Sequence, residues 1–126
     1  MPEKLKLLLV DDHDYFRQSL AAFLKELPEL EVLGEARNGI EAEEMAMTLS
    51  PDLVLMDFKM PERNGLKTAK LIKNRRPSIK VILFSLFSNE VNTVQEMEAI
   101  DLFIPKQRLF EEVVEAIYGL FHRLGD

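Results

Sequence analysis

The chain has 126 residues, 47% of them hydrophobic, and a mean hydropathy of -0.07, values that fit one globular domain with a sizeable core. It contains no cysteine, which excludes disulfides, thiolate metal sites and cysteine nucleophiles. A net charge of -6 with no basic block argues against direct nucleic-acid binding, and no apolar run reaches the ~18 residues of a membrane span.

The first predicted element is a strand over Leu5–Val10, which runs directly into Asp11, Asp12 and Asp14. Phe16, Leu20, Phe23, Leu24 and Leu27 then share one face of a helix that Pro28 ends. A second strand spans Leu30–Ala36. Asn38 caps a helix carrying Ile40, Met45, Ala46 and Leu49, which stops at Ser50–Pro51. The third strand, Leu53–Met56, precedes a helix marked by Leu66, Ala69 and Ile72 and ended by Pro77. The fourth, Ile79–Phe84, precedes an indistinct helix over Val91–Ala99. Leu102–Ile104 is the fifth strand, and Phe110, Val113, Val114, Ile117, Phe121 and Leu124 stripe the last helix. The runs DLVLMD and KVILFS are almost continuously apolar, as parallel strands covered on both faces must be. Five strands alternating with five helices predict an α/β fold, a doubly wound five-stranded parallel sheet. With no linker or repeat, one domain over residues 1–126 is expected.

Such sheets bind ligands beyond the carboxyl ends of their strands, where the strand order reverses. In a flavodoxin-like order, 2-1-3-4-5, those ends carry Asp11 and Asp12, then Asp57, then Ser85, with Lys106 just after the fifth. Three carboxylates without His or Cys make a hard oxygen site suited to Mg²⁺ or Mn²⁺. A cation there holds the adjacent acids together, and a carboxylate beside it can attack phosphorus to give an aspartyl phosphate. Mg²⁺, Lys106 and the Ser85 hydroxyl then share the phosphoryl charge. Taken singly, Asp12 reads as a helix cap, Ser85 as a turn residue and Lys106 as a solvated charge; their joint placement carries the argument. His13 reads as a first-turn helix residue facing solvent, and Met45, Met47, Met56, Met60 and Met97 as packing residues. Gly34, Gly39 and Gly65 form no phosphate-cradling loop.

The stretches LLLVDDHDYFR, PDLVLMDFKMPERNGL, ILFS and FIPK resemble the receiver domain of two-component response regulators, over essentially the whole chain. The likeness is greatest to receivers attached to helix-turn-helix DNA-binding domains. It implies that Asp57 is the phosphoacceptor and that Asp11, Asp12, Asp57 and the backbone carbonyl of Lys59 bind Mg²⁺. It further implies that Ser85 and Phe103 form the switch and that Lys106 contacts the phosphate. The expected module is a cytoplasmic phosphoprotein of a phosphorelay, not an enzyme beyond slow loss of its own phosphoryl group. A histidine kinase, a phosphotransfer protein or a small phosphodonor supplies the phosphoryl group. The expected output is a change at the Val91–Ala99 helix, the fifth strand and the last helix, a surface also suited to a homodimer, with no direct contact to nucleic acid or membrane. Three positions depart from the family pattern: Leu86 replaces a small residue, Ala99–Ile100 a Gly-Ala pair, and Gln107 a proline. Two rivals fit less well. A Mg²⁺-dependent aspartyl phosphatase needs an acid where Lys59 stands, and a phosphorylation-independent pseudo-receiver is expected to lose Asp57 or Lys106.

Overall fold

Five strands, β1 (Leu5–Val10), β2 (Leu30–Ala36), β3 (Leu53–Asp57), β4 (Lys80–Ser85) and β5 (Leu102–Pro105), form one parallel sheet in the order β2-β1-β3-β4-β5. The structure is a computed structural model and describes residues 4–86 and 98–121. Among the described residues there are four α-helices, α1 (Asp14–Lys25), α2 (Gly39–Leu49), α3 (Gly65–Arg75) and α4 (Leu109–Phe121), and a 3-10 turn over Lys106–Arg108. The helix expected over Val91–Ala99 lies outside the described residues apart from Glu98 and Ala99, and so do Met97 and Leu124.

The apolar strands are continuous because alternate side chains serve opposite layers. Leu8, Val10, Val54, Met56, Val81 and Leu83 pack against Ala42, Ala46, Ala69 and Ile72 of α2 and α3. Leu7, Leu9, Leu53, Leu55, Ile82 and Phe84 pack against Leu20, Leu24, Val113 and Ile117 of α1 and α4. Each fully buried aliphatic side chain here contributes roughly 1.5–3 kcal/mol. A polar residue inside any of these runs disrupts one layer or the other. The first polar positions therefore fall at the strand ends.

Helix boundaries follow local chemistry. Asn38 and Asn64 cap α2 and α3, their side chains accepting from the backbone N–H of Glu41 at 2.8 Å and of Lys67 at 2.9 Å. The α2 stripe differs from expectation. Ile40 and Leu49 are exposed, and the buried face is Gly39, Ala42 and Ala46. Small residues let α2 lie close, so the larger apolar side chains are turned out at its ends. Helix α1 ends at Lys25, ahead of the expected Leu27, whose N–H bonds the Leu24 carbonyl in a closing turn at 3.1 Å.

Register sets the level of the strand ends. Val10 lies beside Met56, Asp57 beside Phe84, and Ser85 beside Pro105. Both β3 and β4 run one residue further than the sequence pattern suggests, so Asp57 and Ser85 are the last residues of the ladder. Gly65 sits where α3 starts against the end of β3: a Cβ there would lie 2.4 Å from the Asp57 carbonyl oxygen. Only glycine fits that approach.

Candidate functional site

Asp11, Asp57, Ser85 and Lys106 all meet at this end of the sheet, and all four are buried. The Asp11 N–H completes the ladder to β2 by donating to the Ala36 carbonyl at 3.1 Å. Its Oδ1 turns back to accept from the His13 N–H at 2.8 Å, which locks the carboxylate against its own backbone. Asp57 is held from two sides. Its Oδ1 accepts from the Lys59 N–H at 3.3 Å, and its Oδ2 lies 3.3 Å from Lys106 Nζ. The same ammonium is 3.2 Å from Asp11 Oδ2. Its other side faces aromatic rings, with Nζ 4.4 Å from the centroid of Phe16 and 5.7 Å from that of Phe84.

The Asp57 carboxyl is pushed up to about 6, first by burial and then by the neighbouring Asp11 charge. Lys106 and the Lys59 N–H pull it back without cancelling those effects. One ammonium does not neutralise three carboxylates. Consistent with that deficit, Asp11 Oδ2 and Asp12 Oδ1 are buried and accept no hydrogen bond. Lys106 is close enough to Asp11 Oδ2 for an ion pair, but it bonds Asp57 with the better geometry. Asp11, Asp12, His13 and Asp57 each offer a ligand atom, all within 4.8 Å of one another. Acids with unsatisfied buried oxygens are the donor set of a hard divalent cation, so these residues fit a metal site.

A cleft of about 420 Å³ opens above the cluster, bordered by Lys59, Pro61, Ser85 and Leu86. Leu86 stands on its rim and is 52% exposed. Its carbonyl accepts from the Gln107 side chain at 3.1 Å, tying the end of β4 to the residue after Lys106. Phe103 is not part of this assembly. It lies half-buried on β5 and borders a separate groove with Glu112 and Glu115 of α4.

Two residues acquire roles that their sequence positions did not suggest. His13 does not face solvent alone. It occupies the N-cap position of α1 without a side-chain cap bond, and its Nδ1 turns to Asp11 Oδ1 at 3.0 Å and Asp12 Oδ1 at 3.4 Å. Arg17 is buried on α1 beside Leu20, Ala21 and Leu24. It donates to the Asp11 carbonyl at 2.8 Å, to Asp14 Oδ1 at 2.8 Å and to Glu35 Oε1 at 2.9 Å. A lone cation at i relative to Leu20, Ala21 and Leu24 was the available signal, since that spacing places it on the buried face.

A family model described as the response regulator receiver domain matches residues 7–118. The transcriptional regulatory protein LnrK of Bacillus subtilis is 42% identical over 94 residues, covering 75% of this chain and 43% of that protein. A protein-glutamate methylesterase/protein-glutamine glutaminase of Pyrococcus horikoshii is 44% identical over 110 residues, covering 84% of this chain and 29% of that protein. Among solved structures, the signal receiver domain of NarL from Mycobacterium tuberculosis superposes with a TM-score of 0.85 at 28% identity, covering 94% of this chain and 97% of that one. The chain thus spans less than half the length of these two curated relatives, whose names describe different activities.

Proposed function

Because the chain belongs to the receiver-domain family of two-component response regulators, the phosphoacceptor signalling domains, we propose that Asp57 is its phosphoacceptor. Asp11, Asp12, Asp57 and the backbone carbonyl of Lys59 are then the ligands of Mg²⁺. The observation that carries this reading is the Asp57 carboxylate itself. It is buried, it faces Lys106 at 3.3 Å, and it lies among acids whose oxygens lack hydrogen bonds.

In the proposed reaction an oxygen of Asp57 attacks phosphorus, and the donor's bond to that phosphorus breaks on the opposite side. Lys106 stays beside the acyl phosphate and neutralises one phosphoryl oxygen. The Ser85 hydroxyl, on the neighbouring strand end, donates to another. Bound Mg²⁺ supplies positive charge to the crowded carboxylates and the incoming phosphoryl group. Drawing Ser85 inward frees space toward which the Phe103 ring turns, and the surface of β5 and α4 changes with it. The phosphoryl donor is a histidine kinase, a phosphotransfer protein or a small phosphodonor, in the cytoplasm. The changed surface, together with the 91–99 segment, takes a partner or a second copy of the chain. Residues 1–126 act as one domain on their own aspartate and turn over no other substrate. An aspartyl phosphatase needs an acid where Lys59 stands, so that alternative lacks its proton donor.

The test is intact-mass measurement after incubation with a small phosphodonor. One phosphoryl group is expected on the wild type only with Mg²⁺, and none on Asp57→Asn, whose amide is a poor nucleophile. Phosphorylation of the Asn variant overturns the assignment.

A further inference from the structure

We infer that His13 is a further donor of the acidic pocket and makes it a site for imidazole-binding divalent metals, of the cobalt, nickel and zinc class, alongside Mg²⁺. The inference rests on the metal reading above and deepens it. The geometry is direct. His13 Nδ1 lies 3.0 Å from Asp11 Oδ1, 3.4 Å from Asp12 Oδ1 and 3.7 Å from Asp57 Oδ2. One ring nitrogen therefore faces all three carboxylates at once, and Lys106 Nζ as well, at 3.4 Å. Asp11 is completely buried, yet its Oδ2 accepts no hydrogen bond, and neither does the buried Asp12 Oδ1. One ligand atom from each of the three acids and one from the imidazole lie within 4.8 Å of one another.

Donors around one ion with bonds of ~2.1 Å lie up to ~4.2 Å apart. The four donor atoms here lie within 4.8 Å, so contraction by a few tenths of an ångström closes the set. His13 is the group able to supply that movement, since its side chain is 60% exposed whereas Asp11 and Asp57 are fixed by burial. Donor chemistry then divides the metals. Mg²⁺ prefers oxygen and keeps several waters, so it gains little from an imidazole. Cobalt, nickel and zinc bind imidazole well, and their affinity for mixed nitrogen and oxygen sites exceeds that of manganese. Such an ion takes the same three carboxylates as Mg²⁺, Asp57 among them. It therefore competes with Mg²⁺ for the pocket.

The experiment titrates untagged protein with Co²⁺, following its visible absorption, and separately with Mg²⁺, for the wild type and His13→Ala. Beryllofluoride uptake with Mg²⁺ is measured on both. The expected result is a loss of about tenfold or more in Co²⁺ affinity on removing the imidazole, the scale on which even outer ligand partners act. The Co²⁺ spectrum should change shape as nitrogen is lost, and the fold-loss in Co²⁺ affinity should exceed any fold-loss in Mg²⁺ affinity. Equal Co²⁺ affinity and spectrum in the two proteins overturn the role of His13 and leave the phosphoacceptor reading standing. Failure of the wild type to take up beryllofluoride with Mg²⁺ overturns that reading, and this inference with it.

Discussion

The Asp57 carboxyl is the most perturbed group in the described structure with a defined consequence for stability. Its folded value of about 6 exceeds the ordinary 3.8, so between those limits the folded protein holds a proton that the unfolded chain has released. Stability attributable to this group is therefore full below about pH 4 and is lost as pH rises through 6. The side chain is only 4% exposed, so solvent screens little of the effect. Asp57→Asn removes it. In metal-free buffer at pH 7.5 the variant should be more stable than wild type by about 1–3 kcal/mol. The lower end reflects the loss of a full charge opposite Lys106, and near pH 4 the gain should vanish. Urea unfolding at the two pH values measures this. A gain independent of pH, or no gain at 7.5, contradicts the burial argument.

At the scale of elements, two glycines should respond in opposite directions. Gly65 begins α3 against β3, and a Cβ there meets the Asp57 carbonyl oxygen at 2.4 Å, Phe58 Cα at 3.0 Å and Leu83 Cδ2 at 3.1 Å. Backbone cannot give way as a flexible side chain can. Gly65→Ala must push α3 off the strand that carries Asp57, at an expected cost of about 2 kcal/mol or more. Gly119 lies within α4 with nothing within 4 Å of its Cβ position. There alanine only improves helix propensity, and Gly119→Ala should stabilise by about 0.5–1 kcal/mol. Thermal melts of both variants compare the signs directly. A tolerated Gly65→Ala would mean that α3 has room the strand end denies it.

For the whole molecule, crowding of acids at one edge of the sheet predicts stabilisation by a divalent cation held among them. A ligand that binds only the folded state adds ~2.7 kcal/mol at a hundred times its dissociation constant. Melting should therefore rise with millimolar Mg²⁺ in the wild type and not in an Asp12→Ala, Asp57→Ala double variant. Equal shifts in both proteins would assign the effect to general screening. A second effect expected across the whole molecule runs from Asp57, the proposed acceptor, to the distant face. Ser85 ends β4 and pairs in register with Pro105, while Phe103 pairs with Leu83 two steps back along the same ladder. Under the proposed switch, phosphorylation would bias Phe103 only through a difference in contacts between two states. Ser85→Ala should then weaken the beryllofluoride-induced NMR shifts near Phe103. Unchanged shifts would break that link.

Much of this protein can be read along its chain. Near-continuous apolar runs at Leu53–Asp57 and Lys80–Ser85 require cover on both faces, which determines a parallel sheet with helices on either side. Carboxylates cannot enter such runs, so Asp11, Asp12 and Asp57 had to fall at strand ends, and the alternation of elements put those ends on one edge. Contacts between distant positions were decided only by the folded structure. Periodicity made Ile40 and Leu49 part of an apolar stripe, but close packing of Gly39, Ala42 and Ala46 turned both outward. Likewise Lys106 reaches Asp57 from 49 residues away because β3, β4 and β5 are in level register. His13 and Arg17 owe their places to the turn after β1, whose geometry aims one ring at the acids and one guanidinium at the Asp11 carbonyl. Spacing along a helix or strand reports which face is buried. The direction of a side chain at a strand-to-helix junction depends on the backbone turn and on charges brought from other strands, and only tertiary structure supplies those.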